Sequence, residues 1–244
     1  MIKKILKNTI KQCAGLCYYY SYKKYFNNIG NRTLIYHAFG SKLNHDNYGI
    51  SIKINKFKEH IKYLLDNYDF HALTKSFNNK FSVSITIDDG YKDTIEAVSI
   101  LNNFNIPFSL FITTDSINTK QYLSDEDIVE ISKLKFAEIG SHGKSHNRLQ
   151  GMSYANQKLE LLESKIKLEK ITSKKINSIS FPHGSYNSTT LKLLNEIKYK
   201  RAATSIKGFN NYKTNKYMIH RNEIISSDSI KELEKKIKGY YDFY

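Results

Sequence analysis

After its first thirty residues the chain settles into one rhythm: short β-branched and aromatic runs, each followed by a stretch with helical periodicity. Leu34–His37, Phe81–Ile87, Phe108–Ile112, Phe136–Ile139, Ile176–Phe181 and Arg201–Thr204 read as strands. Helical spacing covers 55–68, 93–103, a segment from Ser124 through Ile131, then 153–171, 188–197 and 229–238. Asn55 is expected to cap the first of these helices, and Ser124 with Asp127 three residues on reads as a capping-box start. Strands that alternate with helices at this spacing imply an α/β fold with a parallel sheet or barrel, and 244 residues suffice to bury its core. In such folds polar groups collect where the carboxyl ends of the strands meet.

Polar residues stand at those ends. His37 closes the first strand, Asp88-Asp89-Gly90 the second, and Pro182-His183-Gly184 follows a later one. The Phe136–Ile139 strand leads into His142 and His146, four residues apart. Strand alternation is expected to send Asp88 and Asp89 to opposite sides of the chain, with Gly90 allowing a sharp turn. One carboxylate and two imidazoles make a three-ligand metal site with a position left for water. The second carboxylate would then take a proton from that water, and a histidine across the site would protonate a departing amine. These parts suit hydrolysis of an amide or ester; no phosphate cradle is present in the sequence.

The formal net charge of +15 implies an anionic partner or surface. Nucleic acid rests on charge alone, because no zinc-finger, RNA-recognition or phosphate-loop signature accompanies it. The first thirty residues hold Lys3, Lys4, Lys7, Lys11, Lys23 and Lys24 and no acid, with apolar residues at helical spacing from Ile2 to Tyr20. Residues 1–30 are therefore expected to form a basic amphipathic helix ahead of a catalytic domain at 31–244, with residues 1–28 docking on an anionic membrane. Lys7 and Lys11 interrupt any signal-peptide core, which points to the cytoplasm or the cytoplasmic face of the membrane. Cys13 and Cys17 are read as small apolar residues on the buried side of that helix, and His45, His60 and His71 as ordinary histidines.

Taken together and in order, Thr86-Ile87-Asp88-Asp89-Gly90, His142-Gly-Lys-Ser-His146 and Phe181-Pro182-His183-Gly184-Ser185-Tyr186 resemble the three leading motifs of the polysaccharide deacetylase family, carbohydrate esterase family four. The resemblance spans roughly residues 33–225. It implies a distorted (β/α) barrel and metal-dependent removal of N-acetyl groups from an amino sugar in a glycan, with zinc the expected divalent metal. By position it makes Asp88 the general base and gives the metal to Asp89, His142 and His146. Pro182, His183, Gly184 and Tyr186 fall at the substrate and oxyanion side, where the His183 backbone N–H would serve.

Three departures stand out. No arginine precedes Pro182, the chain has no Trp, and the family's late Leu-x-His motif lacks a clean copy. Leu34-Ile35-Tyr36-His37 resembles the start of the biofilm poly-N-acetylglucosamine deacetylase branch, as though the last strand had moved to the front. That assigns the general acid to His37, with His220 of Met218-Ile219-His220-Arg221 as the alternative, and makes Arg221 the replacement tether for Asp88. Two other functions stay open: a deacylase of a lipid-linked saccharide or envelope glycan precursor, and a catalytically weakened glycan-binding module.

Overall fold

The computed structural model describes residues 2–21, 30–44, 46–78 and 80–243; His45 lies outside them. Helix α1 (Ile2–Ser21) leads into β1 (Asn31–Tyr36), α2 (Ile54–Asn67), β2 (Ser82–Ile87), α3 (Thr94–Asn103) and β3 (Phe108–Ile112). Then follow α4 (Asp125–Lys133), β4 (Ala137–Ser141), α5 (Tyr154–Thr172), β5 (Ser178–Ser180), α6 (Ser188–Glu196), β6 (Arg201–Ala203), β7 (Asn222–Glu223) and α7 (Ile230–Lys238). The strands pair in parallel in the order β6-β5-β4-β3-β2-β1-β7.

One short segment closes this sheet into a distorted barrel. Ile219 bridges to Ala203 of β6, while Asn222 and Glu223 pair with Leu34 and Ile35 of β1. Residues 219–223 thus touch both edges, as the expected (β/α) barrel requires.

Period-2 alternation sorts the side chains. In β2, Val83, Ile85 and Ile87 join the main apolar core together with Leu64, Val98 and Leu101 from the helices. Ser84 and Thr86 alternate with them and bond to Asn31 Nδ2 and to the Leu34 carbonyl. Inside the ring Phe111, Ala203 and Ile219 form a small separate cluster. Gly140 lets β4 pass this cluster, since a Cβ there would sit 2.5 Å from the Phe111 ring.

The Ser124 capping box is present, with Asp127 N–H on Ser124 Oγ and the Asp127 carboxylate on the Ser124 N–H. Asn55 does not cap α2; the helix starts at Ile54 behind Lys53, without a side-chain cap. His60 is fully buried and satisfied, with Tyr36 Oη at 3.4 Å and the Asp228 carbonyl at 3.2 Å. His71 tilts against Phe77.

α1 rests on the end of the chain. Gly15 approaches Tyr240 and Tyr241, and Tyr19 stacks on Tyr240 at 3.9 Å. Cys13 and Cys17 are both exposed, contrary to expectation. The docked side is built on Gly15, Tyr18 and Tyr19, which pack on the Tyr240–Phe243 aromatics. No helix among the described residues is long and apolar enough to cross a membrane.

Candidate active site

The site assembles where β1, β2, β4, β5 and the closing segment deliver their carboxyl ends. β2 ends at Ile87, and the chain then leaves extended geometry: Asp89 has φ 73° and Gly90 φ 83°. This left-handed turn overrides strand alternation. Instead of diverging, both carboxylates face His142, whose Nε2 lies 3.3 Å from Asp89 Oδ1 and 3.9 Å from Asp88 Oδ2. His146 and His183, also left-handed at φ 62° and 55°, reach the same place, with ring centroids 4.5 Å apart. Left-handed backbone at a non-glycine residue costs roughly 1–2 kcal/mol, and here it clusters at functional candidates.

Asp89 Oδ1, His142 Nε2 and His146 Nε2 all lie within 4.8 Å of one another. Asp89 Oδ1 is buried and makes no hydrogen bond, although His146 Nε2 is only 3.2 Å away. The three atoms therefore aim at a shared point and not at each other. His142 Nδ1 is 2.8 Å from the Ser180 carbonyl, which fixes the tautomer with its Nε2 lone pair directed inward. Tyr91, buried and stacked on Tyr122, supports Asp89 through its hydroxyl. A carboxylate and two neutral imidazoles so oriented fit a divalent transition metal such as zinc. Burial pushes the Asp89 carboxyl upward, but the close-facing His142 and His146 imidazoles outweigh it and hold the group well below its usual range. Burial likewise disfavours protonated His142, yet the charges of Asp88 and Asp89 raise its pKa above the ordinary value. The cage attracts positive charge, whether proton or metal.

Asp88 is held differently. Arg221 Nη1 and Nη2 donate to its two oxygens at 2.8 Å each, and Ser180 Oγ donates to Oδ2 at 2.9 Å. Arg221 is itself fixed by bonds to Ser180 Oγ (2.6 Å), Thr86 Oγ1 (3.1 Å) and the Thr204 carbonyl (2.9 Å). Burial raises the Asp88 pKa and the Arg221 charge opposes it, leaving a net lowering. This bidentate clamp joins residues 133 apart in sequence.

The His37 imidazole opens on the same cleft, about 400 Å³ in volume, which Asp88, Asp89, His142, His146, Arg148, Phe181, His183 and Glu223 also line. Its Nδ1 is buried without a partner. A larger cavity, about 790 Å³, opens at the opposite end of the barrel around Glu138 and Arg201, where no converging donor set occurs among the described residues.

His220 is not in the site. Ile219 and Arg221 point into the ring, so the residue between them points out. Its ring lies against Gly208 and faces Arg32 and Asp242. Tyr186 also stays out of the cleft, stacked on Phe181 at 4.9 Å as part of the core packing. Pro182 is buried against Gly143, and Gly184 turns at φ 63° beside Ser205. Of that motif Phe181 and His183 line the cleft. Sequence reasoning missed Ser180, Thr86 and Tyr91. The inward parity of Ser178 and Ser180 would have marked the first, and the position directly after Gly90 the last.

The sequence model of the polysaccharide deacetylase family matches residues 75–202. The chain belongs to the polysaccharide deacetylase family. This deacetylase-family chain is 29% identical over 202 residues to YxkH of Bacillus subtilis (strain 168), covering 77% of this chain and 69% of that protein. Its fold is similar to that of the Streptococcus pyogenes deacetylase PplD in complex with acetate: TM-score 0.76, 21% identity, 86% of this chain and 99% of that one. IcaB from Ammonifex degensii is similar at TM-score 0.74 and 17% identity, over 86% and 97% of the two chains. At these identities the two structures bear on the fold alone.

Proposed function

We propose that this family member is a metal-dependent hydrolase that removes N-acetyl groups from an amino sugar in a glycan. The observation that carries this reading is the convergence of Asp89 Oδ1, His142 Nε2 and His146 Nε2 beside a second carboxylate clamped by arginine. A bound divalent metal supplies a Lewis acid that lowers the pKa of water and polarises an amide carbonyl. The protein's own groups do the rest. Asp88, oriented by Arg221 and Ser180, accepts the proton of the attacking water. The His183 main-chain N–H, presented by the left-handed turn, stabilises negative charge on the former carbonyl oxygen. His37 stands in the cleft and donates a proton to the departing amine, so that C–N cleavage releases acetate and a free amino sugar. Tyr48, 79% exposed at the rim of the cleft, offers an aromatic face to a sugar ring.

Two departures favour a weakened glycan-binding module, the missing arginine before Pro182 and the missing tryptophan. The Arg221 guanidinium on Asp88 answers the first of them. The test pairs metal analysis with acetate release from N-acetylated polymers, oligosaccharides and lipid-linked saccharides, for the native chain and Asp89→Ala. The expected result is bound divalent metal, acetate release, and loss of both in the variant. Release that survives chelation and Asp89→Ala would refute the mechanism.

A further inference from the structure

Helix α1 turns one side to the barrel and leaves an apolar stripe uncovered on the other. Gly15 is the closest point of contact, where a Cβ would stand 3.0 Å from the Tyr240 carbonyl oxygen and 3.1 Å from the Tyr241 ring. Tyr19 stacks on Tyr240, Tyr18 packs on Phe243, and Lys11 lies over the Tyr241 ring at 4.7 Å. Leu6, Ile10, Cys13, Cys17 and Tyr20 are spaced by four, three, four and three residues, which aligns them on one helical face. That face is open: Leu6 is 58% exposed, Ile10 60% and Tyr20 55%, with Leu16 at its border 40% exposed. The stripe runs about 21 Å along the helix. The first thirty residues carry six lysines and no carboxylate.

We propose that the outward face of α1 is a docking surface for a bilayer containing anionic lipid. An apolar stripe seeks the acyl boundary, and a segment whose six charged side chains are all lysines complements anionic headgroups. The contacts that hold α1 lie next to Asp242, which pairs with Arg32 near the start of β1 at 2.8 Å. The cleft lies at the other end of the strands, so attachment through α1 leaves it open to a glycan. This inference does not depend on the chemistry proposed for the cleft.

The test is co-sedimentation of the full chain with vesicles of phosphatidylcholine alone or mixed with phosphatidylglycerol. The protein is expected to pellet with the mixed vesicles and to be released by added salt. Leu6→Glu combined with Ile10→Glu, at positions already exposed, should weaken partitioning by about tenfold or more while leaving circular dichroism and melting temperature unchanged. Ile166→Glu, which alters an equally exposed residue on α5, should pellet as the native chain does. Native protein that stays in solution with anionic vesicles would overturn the proposal, as would a double variant that pellets equally. A lipid-free dimer that the double variant abolishes would overturn it too, assigning the stripe to a second copy of the chain.

Discussion

Replacing Arg221 by methionine removes the group that makes Asp88 usable. The guanidinium is fully buried and donates five hydrogen bonds, two to Asp88 and one each to Ser180, Thr86 and the Thr204 carbonyl. Methionine fills much of the volume but leaves a buried carboxylate without its counter-charge. Breaking a buried pair from one side costs about 3–5 kcal/mol. For a chain of this size that lowers the melting temperature on the order of 6–20 °C. In the native protein Asp88 is held below its ordinary value, so its contribution to stability is complete above about pH 3.9 and is lost as pH falls through the depressed value. In the variant burial is opposed only by the weaker influence of His142, His37 and the Ser180 hydroxyl, and the carboxyl moves upward. Stability then declines as pH rises through the raised value, and the acid limb of kcat/KM moves to higher pH. Misorientation of the base should lower kcat/KM by about 100-fold or more. Thermal melts across pH, pH–rate profiles and a double-mutant cycle with Asp88→Asn measure all of this. The double variant should be less destabilised than the sum of the singles by about 1–3 kcal/mol. A loss below about 1 kcal/mol together with an unmoved acid limb would refute the assignment of Arg221 as the group that holds Asp88.

Three further outcomes follow from the same geometry. His37→Gln should lower kcat by about 100- to 10,000-fold with metal content unchanged, whereas His220→Gln, outside the cleft, should keep near-native activity; steady-state kinetics with metal analysis separates the two. Gly140→Ala places a methyl 2.5 Å from the Phe111 ring and should destabilise the fold by about 1–3 kcal/mol, read by denaturant titration. Ser180→Ala removes one donor to Asp88 while leaving the Arg221 clamp, so kcat/KM should fall far less than in Arg221→Met.

Local chemistry carried most of the fold and much of the site. The strand–helix rhythm, the caps at Ser124, Ser153 and Ser229, and the placement of polar residues after strands all depend on neighbours within a turn or a strand. His142 and His146 are four residues apart and Asp89 sits at a strand end, so the donor set was legible as a motif. Period-2 alternation failed at Asp89, because a left-handed residue is a property of the turn and not of the strand. It does account for His220: neighbours on an extended segment cannot both face inward, and Arg221 already does.

What sequence alone determined is therefore the repertoire: an α/β chain with two carboxylates and four histidines (His37, His142, His146 and His183) following strands, preceded by a basic amphipathic segment. Tertiary structure decided which groups meet. β7 spans only Asn222–Glu223, too short to register as a strand, yet with Ile219 it closes the ring and brings Arg221 to Asp88. The docked side of α1 was decided in the same way, by Tyr240 and Tyr241 at the far end of the chain against Gly15. Both depend on contacts more than a hundred residues apart. Local patterns carry no record of such pairings, because the energy that selects them exists only once the barrel has closed.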